Sequence, residues 1–290
     1  MASIIITGTS SGLGMETALT LGRVGHRVFA TMRNPGAART LGETVKAEKL
    51  KVSIHVMNVD SDASVKSAME EIRSATGGGA IDVLVNNAGI ERRGSVEELP
   101  LEEFRAVMET NYFGAIRCIK EVVPGMRARG SGCIINVTSV SGKISASPFA
   151  AYSSSKFALE ALSESLAQEV KAFGIRVAIV EPGIIDTAMA RAIEEVPDES
   201  VYPHGKRLSG MYVASLANPA PPSLVAHAIR DIIESGTWKL RHPVGPDSAP
   251  FMEWRASMND EEWVNWGALE DDAWYARVQS DFGLDARPKA

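Results

Sequence analysis

The chain is short of cysteine: Cys118 and Cys133 are the only two in 290 residues. Neither falls in a metal-ligand or redox spacing. That excludes a disulfide scaffold or a thiolate cluster, and each reads as a small buried apolar residue. A reducing compartment fits this usage. Long hydrophobic runs are also missing, and none approaches the roughly 18 to 20 apolar residues needed to cross a bilayer. The N-terminus enters Ser3-Ile4-Ile5-Ile6-Thr7-Gly8 at once, without the charged region and cleavage site of a signal peptide. The expectation is a soluble, cytoplasmic protein. Positive charge is not in excess. A formal net charge of −6 argues against general affinity for nucleic acid or acidic membranes, while leaving room for a local basic pocket. His26, His55, His204, His227 and His242 are scattered, so no metal site is expected.

What is present suits a globular fold. Hydrophobic residues reach 45% and charged residues 23%, enough apolar material for a full core. Strand-like runs at 3–7, 27–31, 51–56, 83–85, 133–137 and 176–180 alternate with helical patterns. That alternation predicts parallel strands joined by helical crossovers. The expected fold is α/β: a Rossmann-type doubly wound parallel sheet of about seven strands flanked by helices. It takes residues 1–240 as a single dinucleotide-binding and catalytic domain. Residues 186–215, with Met189, Pro197, Tyr202, Pro203, Gly205, Gly210, Met211 and Tyr212, read as an irregular helical insertion, a candidate lid. Met189, Met211 and Tyr212 suit core or pocket equally, and His204 is a candidate substrate contact. A helix at 223–235 and a last strand at 238–240 follow.

All five tryptophans stand at or beyond Trp238. Disordered tails are poor in aromatics, and Ser257-Met258-Asn259-Asp260-Glu261-Glu262-Trp263 reads as a capped helix start. Residues 241–290 are therefore expected to fold and dock. Packing on the body, a subunit contact and a pocket wall all remain open.

Two motifs carry chemistry. The first strand ends in Thr7-Gly8-Thr9-Ser10-Ser11-Gly12-Leu13-Gly14 and a helix follows. Gly8 allows a sharp turn, Gly12 a close approach to a pyrophosphate, and Gly14 close packing of helix on sheet. The helix N-terminus offers N–H groups to phosphates. No Gly-Lys-Ser/Thr follows, so this is not a nucleoside-triphosphatase loop. The second strand ends without an acid for a ribose 2′-hydroxyl and with Arg33, which suits a 2′-phosphate. NADP(H) is expected over NAD(H), the alternative being that Arg33 is a solvated loop cation. The second motif is Tyr152-Ser153-Ser154-Ser155-Lys156. On a helix, positions four apart share a face. A free tyrosine has a pKa near 10, and bringing it to about 7 takes about 4 kcal/mol. A close lysine, helped by an oxidised nicotinamide, is the expected source. Ser139 ends an apolar strand 13 residues earlier and is placed to offer its hydroxyl to the same substrate oxygen. Ser141 is the lesser candidate.

Together these motifs resemble the short-chain dehydrogenase/reductase family over about residues 3–240. Asn86-Asn87-Ala88-Gly89 resembles the family's cofactor-lining turn, Asn111 its catalytic asparagine, and Pro182-Gly183 with Thr187 its nicotinamide-binding segment. The resemblance implies a catalytic set of Asn111, Ser139, Tyr152 and Lys156. Tyr152 would exchange the proton and Ser139 orient the substrate oxygen. Lys156 would acidify Tyr152 and bind the ribose, while Asn111 would hold a relay water. Implied cofactor contacts are Gly8, Ser10, Ser11, Gly12, Leu13, Gly14, Arg33, Asn58, Val59, Asn87, Ala88, Gly89, Tyr152, Lys156, Pro182, Gly183 and Thr187. After the third strand the family usually has Asp-Val. Here Asn58-Val59-Asp60 stands instead; Asn58 can accept the same adenine hydrogen bond, and Asp60 is expected to cap the next helix. The stretch around Arg33 and the long extension look most like the NADP-preferring hydroxysteroid and retinol dehydrogenases. That implies a small-molecule alcohol or carbonyl substrate, fairly bulky and apolar, and a homodimer or homotetramer. A non-catalytic NADP(H)-binding regulator, an NAD-dependent dehydrogenase and a sugar-nucleotide epimerase or dehydratase are the competing readings. The complete catalytic set speaks against the first, and the chain length and glycine spacing against the last.

Overall fold

A computed structural model describes residues 1–77, 81–194 and 200–288; Pro197 of the expected insertion lies outside the described residues. Seven parallel strands form one sheet: β1 (Ser3–Thr7), β2 (Arg27–Met32), β3 (Val52–Val56), β4 (Val83–Asn86), β5 (Gly132–Val137), β6 (Ile175–Pro182) and β7 (Arg241–Val244). Their spatial order is β3-β2-β1-β4-β5-β6-β7. The chain winds outward from β1 to β3, then returns to start β4 on the other side of β1. The strand order therefore reverses between β1 and β4, where open α/β sheets hold ligands.

The buried strand runs explain the two layers. Alternate side chains of a strand face opposite ways. Ile4 and Ile6 enter a core under α1 (Gly12–Arg23), α2 (Arg39–Ala47) and α9 (Ser223–Ser235), while Ile5 and Phe29 enter the opposite core. That second core is covered by α3 (Asp62–Ala75), α5 (Gly114–Arg129) and α6 (Ala150–Lys171). Cys118 and Cys133 are both buried and free, with thiols pushed up by burial. α4 (Leu101–Met108) precedes α5 and is joined to it by a π turn, Glu109–Phe113. The insertion holds α7 (Ala188–Arg191), a 3-10 turn and α8 (His204–Ser215). No helix of the described residues is long and apolar enough to cross a membrane.

Residues beyond 244 fold into α10 (Ser248–Ala256), α11 (Asp260–Gly267) and α12 (Asp271–Phe282). Asn259 and Glu262 cap α11 reciprocally, Glu262 N donating to Asn259 Oδ1 at 2.8 Å and Asn259 N to Glu262 Oε2 at 2.9 Å. Trp263 and Trp266 stack at 5.3 Å, and Trp254 meets both rings edge-on. Arg207 of α8, almost wholly buried, ties this layer down through Asp271 and the Gly267 and Leu269 carbonyls.

Two local expectations are corrected. The last strand is Arg241–Val244, not 238–240. Trp238 is exposed and holds Lys171 over its ring. Arg241 is drawn instead into a cluster of acids: Glu160, Glu164 at 2.5 Å and Glu181 at 2.8 Å. Pro243 is tolerated because β7 is an edge. The cap of α3 is Ser61, whose hydroxyl accepts from Ser64 N at 3.3 Å, and not Asp60.

Glu160 and Glu181 are both buried, and removing the cation between them strands two carboxylates in a low dielectric. Arg241→Met is expected to cost about 3–5 kcal/mol in chemical denaturation; a loss near zero would show that the cluster does not hold the β6–β7 edge.

Candidate active site

The site begins with backbone constraints at the β1/β4 crossing. Gly8 has φ +70°, and a Cβ there would lie 2.7 Å from Ala88 Cα. Gly14 carries no such angle, but a Cβ on it would collide with the Gly8 carbonyl oxygen and lie 2.5 Å from Asn87 Nδ2. The turn is stitched across the crossing. Thr7 Oγ1 accepts from Asn87 N at 3.0 Å and Ala88 N at 2.9 Å, and Asn87 Nδ2 donates to the Thr7 and Gly8 carbonyls. Ser11 at the N-terminus of α1 makes no side-chain cap bond, and no acid stands in the first turn. Those amides are left for an anion.

A groove of about 370 Å³ runs over this edge. Of the residues expected at a cofactor, Gly8, Ser10, Ser11, Gly12, Leu13, Arg33, Val59, Asn87, Ala88, Gly89, Tyr152, Lys156 and Thr187 line it. Gly14, Asn58, Pro182 and Gly183 do not. Gly14 is packed beneath the turn. Asn58 spends its amide oxygen on Asp60 N at 3.3 Å, and Asp60 takes the place on the groove wall. Gly183 packs on Asp247, whose Oδ2 accepts from Ile184 N at 2.7 Å. Arg33 lines the mouth with its side chain 65% exposed and Asp60 Oδ2 at 4.0 Å. Thr187 caps α7 through Ala190 N at 3.2 Å and faces Gly12 across the groove.

The reactive side chains gather at the carboxyl end of β5. Ser139 is extended, and its Oγ accepts from Ser141 N at 3.1 Å. Its hydroxyl also pairs with the phenol of Tyr152. Ser141 instead faces a second cavity lined by α8 and the tryptophan layer. Lys156, buried, donates from Nζ to Val137 O at 3.0 Å and lies 5.5 Å from the Tyr152 ring centroid. The helix thus presents both side chains to one place, as their spacing requires.

Burial governs both ionisable groups. Burial pushes the Tyr152 phenol up to about 12; the Ser139 hydrogen bond opposes this, and the charge of Glu91 adds to it. Burial also lowers Lys156 to about 8, against the charge of Glu160 one turn on. Desolvation is the largest influence on both groups.

Asn111 sits in the π turn, an element that recurs at functional sites. Its Nδ2 donates to Ile90 O at 2.9 Å and Ser155 Oγ at 2.9 Å, and its Oδ1 accepts from Ile90 N at 2.8 Å. Both amide hydrogens are used, one on the loop after β4 and one on Ser155 of α6, so a relay water is left only acceptor positions here. Sequence reasoning missed Glu91 and Glu160, while Tyr212, read as core or pocket, packs on Phe149 and lines the second cavity. Glu160 alone had a signal, standing four residues after Lys156 on the same helical face.

A doubly wound sheet with a glycine-rich turn at its switch point and a Ser–Tyr–Lys constellation above it defines a dinucleotide-dependent enzyme. Residues 2–198 match the family model of short chain dehydrogenases. Retinol dehydrogenase 8 of Bos taurus is 35% identical over 269 residues, 88% of this chain and 85% of that protein. A short-chain dehydrogenase structure from Streptomyces avermitilis superposes with TM-score 0.77 at 31% identity, over 92% of this chain and 97% of that one. A gluconate 5-dehydrogenase from Burkholderia cenocepacia J2315, in complex with NADP and tartrate, gives TM-score 0.72 at 26% identity, over 86% and 95%. The chain belongs to the short-chain dehydrogenase/reductase family. It is an oxidoreductase of CH–OH and C=O groups.

Lys156 supplies the next prediction. Raising the pH through about 8 removes its proton, so kcat/KM is expected to fall above that value. Lys156→Arg, which stays charged, is expected to move the limb upward in the pH profile. A flat profile to about 10, where a free lysine titrates, would contradict this.

Proposed function

We propose that the protein is an NADP(H)-dependent reductase or dehydrogenase acting on a carbonyl or secondary alcohol of a fairly bulky, largely apolar molecule. Tyr152 is its general acid and base. The observation that carries this reading is that Tyr152 and Lys156 line the groove above the glycine turn, with Ser139 bonded to the phenol beside it. The groove fits a dinucleotide: open amides at α1, the positive φ of Gly12 and the small wall at Gly89 leave backbone for close approach. When bound, the nicotinamide supplies or receives the hydride.

The protein's own part is the proton. A phenol held near 12 remains protonated at neutral pH, which suits donation to a substrate oxygen during reduction. Ser139 accepts from Ser141 N, so its O–H remains to donate and orient. Lys156 spends one N–H on Val137 O and keeps two for a ribose hydroxyl and the phenol. Next to the groove, a cleft of about 810 Å³ shares Gly89, Ile90 and Met189 with it. Its walls include Leu99, Pro148 and Leu208, and its volume suits a bulky substrate.

Arg33 supports NADP(H), since an exposed guanidinium at the groove mouth can turn to a 2′-phosphate. Asp60 favours NAD(H) as the second reading, because its Oδ1 is buried without a hydrogen-bond partner in the same groove and suits a ribose hydroxyl. The insertion acts as a lid over the cleft in this reading. The subunit contact lies along α5 and α6, where Phe113 at the π turn and Phe157 on α6 are exposed.

Tyr152→Phe is expected to bind NADPH as the parent does and to lose roughly 10²–10⁴-fold in turnover on a panel of ketones; undiminished turnover would refute its role. Arg33→Ala is expected to weaken NADPH about tenfold or more relative to NADH, the loss of one charge-assisted contact. Equal kcat/KM for the two cofactors in the parent would remove Arg33 from the argument.

A further inference from the structure

The loop after β4 puts a fixed carboxylate in the cleft that the proton chemistry does not use. Glu91 lies two residues past Gly89, and Asn111 grips the backbone between them through both polar groups of Ile90. Further along, Gly94 N donates to Pro148 O at 3.1 Å. The loop is therefore tied both to the π turn and to the segment that leads into α6. Glu91 lines the cleft immediately beside Ile90, where cleft and cofactor groove meet. Its side chain is 9% exposed.

The carboxylate is charge-balanced, and one of its oxygens is buried without a hydrogen bond. Arg93 Nε is 3.3 Å from Oε1, yet that oxygen has no hydrogen-bond partner, because the guanidinium N–H is out of line. Arg93 also donates to Ala192 O of the insertion at 2.7 Å. Buried polar atoms are nearly always paired, and the exceptions cluster where function needs them. The charge of Glu91 also raises the phenols of Tyr152 and Tyr212, so its field reaches the proposed reacting hydroxyl.

We propose that Glu91 is a substrate-recognition residue, its carboxylate at the cleft wall accepting a hydrogen bond from a hydroxyl group that the substrate carries near the reacting carbonyl. The preferred substrates are then hydroxyketones, with the matching diols in the reverse direction. A neutral donor is favoured over an ammonium. Among the described residues, the Asp, Glu, Lys and Arg side chains on the cleft wall are Glu91 and Glu98 against Arg92, Arg93 and Lys206, an excess of positive charge that disfavours a cationic substrate. The assignment rests on the carbonyl-reductase reading above.

The test compares a hydroxyketone, its deoxy analogue and its amino analogue with the parent, Glu91→Gln and Glu91→Leu, with NADPH affinity as the check on folding. In the parent, kcat/KM for the hydroxyketone is expected to exceed that for the deoxy ketone by about tenfold or more, since a site built to bond a hydroxyl rejects the analogue that lacks it. Glu91→Leu should bring the ratio of the two close to one. Glu91→Gln, which keeps a carbonyl acceptor, should retain part of it. Equal rates on both ketones in the parent, or the same ratio in Glu91→Leu, would overturn the assignment and leave the reductase reading standing. A parent that prefers the aminoketone would overturn the choice of a neutral donor. No reduction of any ketone with NADPH or NADH would bring down the reading on which the assignment rests.

Discussion

Four hydrogen bonds between the end of β1 and the turn after β4 set the geometry on which everything else depends. Thr7 and Gly8 on one side and Asn87 and Ala88 on the other satisfy each other's backbone groups. Buried amides and carbonyls have to find partners. The parallel pairing ends here, and the strands part toward opposite crossovers. Side chain to backbone bonds take over from the ladder, and the crevice they frame is where a dinucleotide fits. Any side chain at Gly8 or Gly14 would push these atoms apart, so the glycines are demanded by the stitch as much as by a ligand.

One face of α6 then carries a row of ionisable groups through the interior: Tyr152, Lys156 and Glu160 at successive turns. Burial works against the charged forms of Tyr152 and Lys156. The protein answers with placed partners rather than with water. Ser139 meets the phenol, the Val137 carbonyl meets the ammonium, and Thr138 and Arg241 meet Glu160. Arg241 comes from the far edge strand. The candidate site at β5 is therefore tied to an ion cluster at β6 and β7 through Glu160.

Much of this was legible in advance. The buried runs that form β1, β2, β4 and β5 are fixed to within about one residue, because apolar, β-branched segments between helical patterns have few other uses. The tryptophan-rich end folds, as its aromatic content requires. The last strand was misplaced because Arg-His-Pro-Val carries no apolar pattern; a long-range ion cluster fixes it. Glu91 was invisible for the opposite reason. An acid beside Arg92 and Arg93 in a loop reads as solvated charge, and only its burial marks it out.

The order of motifs along the chain was enough to determine the family and the parallel sheet and to name the candidate side chains, since each reflects local backbone need or helical spacing. The tertiary structure alone decided their electrical state. Spacing put an ammonium near a phenol, whereas among the protein's own groups burial pushes that phenol up to about 12. How far water is excluded depends on elements distant in the chain, and for Tyr152 that exclusion is the largest influence.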